Sequence, residues 1–267
     1  MNAAQDLGWS VMPLGPALGA RVDGLDLTTP LQDEEGDALD ALLLEYLVLA
    51  LPGQYVEPDQ QVSLGRRFGE PLIHPYLEPI DGHPEILRVV KEADERATFG
   101  GEFWHADITF MNPPSSVSLL QALELPPLGG DTLFANQYTA FETLSTGMQE
   151  MLAPLEAIHL YPGKEETDPA AVAVHPVVRT HAGSGRRALF VNAAFTTRFV
   201  GMTEAESRSL LEFLFAHQTR NEFVTRVGWE PGQLTLWDNR AVLHYAMNDY
   251  DGHRRALQRV TTMERIR

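Results

Sequence analysis

Three side chains in this 267-residue sequence have the types and the spacing to hold one metal ion. His105 and Asp107 stand two apart in Phe103-Trp104-His105-Ala106-Asp107-Ile108-Thr109-Phe110, and His244 follows Trp237-Asp238-Asn239-Arg240 far down the chain. Two imidazoles and one carboxylate on one face of a divalent metal leave the opposite coordination positions open, the arrangement of non-haem Fe(II) oxygenases. In an extended segment residues i and i+2 point to the same side, so His105 and Asp107 can face one ion.

The H-x-D spacing alone carries little weight. Nine histidines and 37 acidic residues in 267 positions give about one such pair by chance, and a second exists at His83-Pro84-Glu85. That one follows Asp81-Gly82 and contains a proline, so it reads as a turn. The 105–107 pair is flanked by large apolar residues instead. With no cysteine in the chain, thiolate ligands, disulfides and a cysteine nucleophile are excluded, which favours iron over a structural zinc.

The elements that must position these residues read as one large domain spanning 1–267. Asp33 to Tyr46 has a helical apolar face at Ala38, Leu39, Leu42 and Leu43 and leads into the buried-strand run Leu47 to Leu51. Pro58 to Phe68 reads as a second helix, and Thr203-Glu204-Ala205-Glu206 as the capping box of a third. Strand-like runs cover Ser116 to Leu125, Thr132 to Ala135, Ala188 to Asn192, Phe223 to Val227, Gln233 to Trp237 and Ala256 to Met263. Glu230-Pro231-Gly232 is expected to join two of these into a hairpin. The fold class is therefore mainly β with flanking helices, around a double-stranded β-helix, that is, a jelly-roll or cupin-like core. The polar stretch 161–173 fits a mobile surface loop, either an active-site lid or an inert insertion.

A formal charge of -17 argues against sequence-independent nucleic-acid binding, but not against a small anionic substrate. No apolar run approaches the roughly 18 residues of a membrane span, and Met1 to Gly8 has no signal-peptide pattern, so a cytoplasmic location is expected. Basic residues gather near the C-terminus, including Arg254, Arg255, Arg259 and Arg265. Arg255 and Arg259 are four apart, so on a strand they share a face about 13 Å from each other.

These motifs in this order resemble the taurine dioxygenase (TauD/TfdA) family of Fe(II)- and 2-oxoglutarate-dependent dioxygenases. The matching segments are Phe103 to Phe110, Gly129-Gly130-Asp131-Thr132, His175 to His181, Trp237 to Arg240 and Arg255 to Thr261, which cover nearly the whole chain. The resemblance implies an oxidoreductase in which His105, Asp107 and His244 bind Fe(II), with 2-oxoglutarate and O2 as co-substrates. It assigns Arg255, eleven residues after His244, and Thr132 to the far carboxylate of 2-oxoglutarate, a role that suits the fork of an arginine. Arg259 matches the residue that binds an anionic substrate head in sulfonate- and carboxylate-using members; supporting the metal site beside Asp107 is its other reading. His74 matches a substrate-contacting histidine, and Tyr161 and Phe195 match aromatic positions. Relatives commonly form homodimers or homotetramers.

The implied reaction is hydroxylation of a C–H bond in a small organic anion, with release of succinate and CO2. An alkylsulfonate or sulfate ester hydroxylated next to the heteroatom would expel sulfite or sulfate and leave an aldehyde, and an aryloxyalkanoate would lose its ether. Gly101 stands where the taurine enzyme has an asparagine, which counts against taurine itself. Two other readings stay open: a biosynthetic hydroxylase or desaturase of an amino acid or natural-product intermediate, and a non-catalytic metal-binding jelly roll.

Overall fold

The computed structural model describes residues 3–98 and 103–265. The helix Asp33–Tyr46 opens with a capping box between Gln32 and Glu35, and three acidic residues in its first turn favour the positive end of the helix dipole. It stops where Leu47 turns left-handed at φ 66, which reverses the chain into the strand Val48–Leu51. A second helix, Pro58–Phe68, begins with proline at a position that needs no amide donor. A third, Glu204–Gln218, carries the Thr203 to Glu206 capping box.

The third of these helices packs against the strand Thr196–Phe199, while the first two sit beside a nine-stranded sheet. Its centre runs Val48–Leu51, Leu234–Asp238, Ser115–Glu124, Arg255–Met263 and His83–Lys91. A smaller sheet has Thr132–Asn136 in the middle, with Val224–Val227 on one side and Val242–Ala246 on the other. The two sheets face each other as the walls of the jelly-roll core.

Strand alternation divides the apolar residues into two layers. Leu49, Leu119, Leu236 and Val260 point outward to Leu39, Leu42 and Leu43 of the first helix. Their neighbours Val48, Leu120, Trp237 and Leu257 point inward to Phe134 and Val242 of the small sheet. Arg255 and Arg259 share the parity of Leu257, so both arginines are carried into the barrel and are 5% and 8% exposed.

Several expectations are corrected. Val224–Val227 and Leu234–Asp238 do not form a hairpin: the first pairs with Thr132–Asn136 and the second with Val48–Leu51 and Ser115–Glu124. The Pro231-Gly232 turn carries the chain from one sheet to the other. His83-Pro84-Glu85 opens the strand His83–Lys91 rather than forming a turn, with His83 reaching Asp59 at 3.1 Å. The run from Ala188 to Asn192 is a strand only at Arg187–Leu189. The stretch after Glu156–Leu160 is the loop of a hairpin closed by Val172–Pro176, with Tyr161 donating its amide to Ala171. Among the described residues no helix is long and apolar enough to cross a membrane.

Candidate metal centre and its anion pockets

His105 and His244 lie opposite each other across an antiparallel bridge. Each donates its amide to the other's carbonyl, at 3.1 and 2.7 Å, and the rings are 4.2 Å apart between centroids. Asp107 completes the group: its Oδ1 lies 3.8 Å from His105 Nε2 and 3.9 Å from His244 Nε2. One ligand atom from each of the three residues falls within 4.8 Å of the others.

The surroundings select the ligand-competent forms. His105 Nδ1 donates to the Phe103 carbonyl at 2.8 Å, which leaves the Nε2 lone pair toward Asp107. Burial lowers His105 and pushes His244 down to about 3, so both imidazoles are neutral at neutral pH, as a metal requires. Burial alone would raise Asp107; the Arg259 charge, the two histidines and Ser118 outweigh it and hold the carboxyl at about 2. These donors fit a divalent metal of the iron type: two nitrogens and one oxygen, neutral or anionic, converge from one side.

Asp107 is fixed by residues that sequence reading passed over. Ser118 Oγ donates to its Oδ2 at 2.6 Å, and Asn239 donates to Ser118 Oγ at 2.9 Å while accepting the Asp107 amide at 3.0 Å. Asn239 stands in the quoted Trp237 to Arg240 motif, but nothing local to it points to Asp107. Its neighbours Asp238 and Arg240 serve elsewhere: Asp238 accepts from His181 at 3.0 Å and from Arg240 at 2.6 Å, beside a cleft of about 460 Å³ that none of the three ligand residues lines.

Arg259 donates from Nη1 to Asp107 Oδ1 at 2.6 Å, and its buried Nε has no partner. The ion pair engages the same carboxylate oxygen that faces the two histidines.

A second cation, Arg255, stands at the far end of its strand's inner face. Among the described residues its buried Nε and Nη2 have no partner, and burial lowers its pKa against the pull of Tyr250, Asp131 and Asp249. The guanidinium carbon is 5.5 Å from the Trp229 ring, and Trp229 Nε1 donates to Thr132 Oγ1 at 3.2 Å. Thr132 therefore accepts from the indole and keeps its own hydroxyl hydrogen for another acceptor. Gly130 has φ +74, and a Cβ there would lie 3.0 Å from Arg255 Cδ, so glycine lets the arginine cross the loop. A buried guanidinium with two unfilled nitrogens, beside a hydroxyl hydrogen left free, fits the far carboxylate of 2-oxoglutarate.

His74, Tyr161 and Phe195 come together although they are distant in sequence. Phe110 joins them: its ring lies 4.9 Å from Tyr161, 5.2 Å from Phe195 and 6.1 Å from His74. Phe195 reaches His105 at 6.1 Å, which makes this aromatic group one wall of the metal centre. His74 is pushed down to about 4 by burial and then by the Arg259 charge. Its Nδ1 accepts the Tyr76 amide at 3.1 Å, so the neutral ring carries its hydrogen on Nε2. Gly101 lies outside the described residues.

Among the described residues, fold and site together define a barrel with one candidate metal position and, apart from it, a buried arginine with unfilled donors. The sequence matches the family described as "Taurine catabolism dioxygenase TauD, TfdA family" over residues 10–261, and the chain belongs to it. It is 33% identical over 279 residues to an alpha-ketoglutarate-dependent sulfate ester dioxygenase of Pseudomonas putida, covering 97% of this chain and 91% of that one. Against an alpha-ketoglutarate-dependent 2,4-dichlorophenoxyacetate dioxygenase of Cupriavidus pinatubonensis the identity is 34% over 278 residues, covering 94% and 96%. The crystal structure of a taurine dioxygenase from Burkholderia xenovorans superposes with a TM-score of 0.83 at 36% identity, covering 97% of this chain and 90% of that one.

Proposed function

We propose that this protein is an Fe(II)- and 2-oxoglutarate-dependent dioxygenase that hydroxylates a C–H bond of a small organic anion and releases succinate and CO2. The observation that carries the reading is the pairing of two features in one barrel: the His105, Asp107 and His244 ligand group, and the buried Arg255, whose Nε and Nη2 are unfilled among the described residues. A structural metal site has no use for the second.

When bound, the iron supplies activation of O2 coupled to oxidative decarboxylation of 2-oxoglutarate. His105, Asp107 and His244 hold it. Arg255 and Thr132 hold the far carboxylate of 2-oxoglutarate, the first by charge and the second by the hydroxyl hydrogen that Trp229 leaves free. Arg259 Nε and the Nε2 hydrogen of His74 are the donors for the substrate's anionic head. Tyr161 and Phe195, with Phe110, form the apolar side of the substrate space and exclude water from the reacting bond.

An alkylsulfonate, sulfate ester or aryloxyalkanoate satisfies both needs, a charged head and an apolar body. The same reading includes a cytoplasmic location and assembly as a homodimer or homotetramer, the latter supported by family resemblance.

The test is an anaerobic visible difference spectrum of the metal-free protein given Fe(II) and 2-oxoglutarate, then a panel of sulfonates, sulfate esters and aryloxy acids. A metal-to-keto-acid charge-transfer band that shifts with one compound is the expected result. Absence of any band overturns the dioxygenase reading.

A further inference from the structure

Lys91 ends the strand His83–Lys91, and its Cα is paired with that of Arg255. Residues directly opposite in an antiparallel pair project from the same face of the sheet. That face is the barrel interior, because the following rungs pair Val89 with Leu257 and Leu87 with Arg259, and Val89 and Leu257 pack in the inter-sheet core. The lysine side chain is accordingly only 1% exposed.

Its surroundings are unusual for a buried ammonium. Lys91 Nζ stands 4.4 Å from the centre of the Tyr250 ring, the same ring that the Arg255 guanidinium approaches at 6.0 Å. Among the described residues, Lys91 Nζ has no hydrogen-bond partner, and neither have Arg255 Nε and Nη2. The nearest carboxylate to the lysine, Asp251 Oδ1, is 4.0 Å away on a side chain 94% exposed, where water screens it. Two buried cations with unfilled donors approach one aromatic ring, and the ring offsets only part of the cost of burying them. An anion held by both would offset that cost and fill the donors together.

We propose that Lys91 is a second cation of the co-substrate pocket, gripping the far carboxylate of 2-oxoglutarate together with Arg255. The inference rests on 2-oxoglutarate being the co-substrate. Arg255 offers the planar fork; Lys91 adds a point charge from the Tyr250 side. Its consequence is selectivity: Lys91 favours a keto acid with a second carboxylate over one of equal length without it, and contributes nothing to the keto-acid end.

The experiment is calorimetric titration of the full Mn(II)-loaded protein with 2-oxoglutarate and with 2-oxopentanoate, which keeps the keto-acid end but terminates in a methyl group. Lys91→Met, which retains the apolar stem, should weaken 2-oxoglutarate binding roughly 10–100-fold while leaving 2-oxopentanoate binding unchanged. Lys91→Arg should restore most of the loss. Unchanged 2-oxoglutarate binding in Lys91→Met, or equal loss for both acids, overturns the proposal. A wild-type protein that binds both acids alike overturns the co-substrate reading itself.

A second measurement needs no variant to fold. Lys91 and Lys164 are the two lysines of the chain, so nitrogen-15 lysine labelling of the Zn(II)-loaded wild type gives two side-chain signals. The Lys91 signal should shift with 2-oxoglutarate and not with 2-oxopentanoate. A Lys91 signal that ignores 2-oxoglutarate overturns the proposal.

Discussion

His105 and His244, separated by most of the jelly roll in sequence, are joined by a reciprocal pair of main-chain hydrogen bonds of 3.1 and 2.7 Å. The two imidazoles are thus set beside each other by backbone, with the Phe103 carbonyl orienting the His105 ring, whereas Asp107 is aimed by the side chains of Ser118 and Arg259. A metal centre built this way tolerates changes in its wall far better than changes in the bridge or in the carboxylate's supports.

His244→Ala should abolish ferrous binding, since one of three donors is lost outright. Ser118→Ala removes only the hydrogen bond that aims Asp107 Oδ2 and should weaken the metal roughly 10–100-fold, as loss of a ligand-orienting contact does. Equilibrium dialysis of Fe(II) under anaerobic conditions compares the two; equal affinities in wild type and His244→Ala would remove His244 from the ligand set.

Arg255→Ala removes the bidentate charged partner of a buried carboxylate, a loss of about 2–5 kcal/mol. The 2-oxoglutarate concentration for half-maximal succinate formation should therefore rise roughly thirtyfold or more. An unchanged requirement would assign the far carboxylate to another residue.

Arg259→Ala separates the two roles left open for this arginine. As a substrate-head donor it should, when lost, weaken the organic anion and leave uncoupled succinate formation in place. If its ion pair with Asp107 is the whole of its function, the substitution shifts metal affinity and leaves the substrate KM unchanged. Metal titration and coupled assays of product and succinate distinguish these outcomes.

His175 gives a pH prediction away from the metal. Burial pushes it down to about 4, and its Nε2 donates to the Thr109 carbonyl at 2.9 Å. The unfolded chain takes up this proton near pH 6.5, and the folded chain only near the lowered value. Between those limits the unfolded state binds more protons, so stability falls as pH falls, by up to about 1.4 kcal/mol per unit for this residue. Above that window neither state is protonated and the contribution is flat. Urea midpoints of the metal-free protein across this range, with His175→Gln beside wild type, should show the shallower slope in the variant; identical slopes would refute the assignment.

The outward parts of the fold were legible because their signals are local. Asp33–Tyr46 and Pro58–Phe68 declare themselves by capping residues and apolar spacing. Ser115–Glu124 and Arg255–Met263 are long runs that only a buried strand accommodates. The expected hairpin at Pro231-Gly232 failed for the complementary reason. A turn sequence fixes a reversal of the chain, whereas the partners of the two flanking strands are chosen by which sheet completes the barrel. Ser118, Trp229, Tyr250 and Lys91 went unseen in the sequence because their significance lies in partners distant along the chain.

The sequence by itself determined the chemistry on offer: two histidines and an aspartate without competing cysteines, arginines four apart on a strand, and a threonine behind Gly129-Gly130. Residue type fixes donor set, charge and strand parity, and these do not depend on the rest of the fold. Only the tertiary structure decided that Arg259 meets Asp107, that Trp229 leaves the Thr132 hydroxyl hydrogen free, and that Lys91 and Arg255 stand on one rung with unfilled donors. Those relationships arise from strand pairing over long separations, where side chains meet because the barrel closes and not because they are near in the chain.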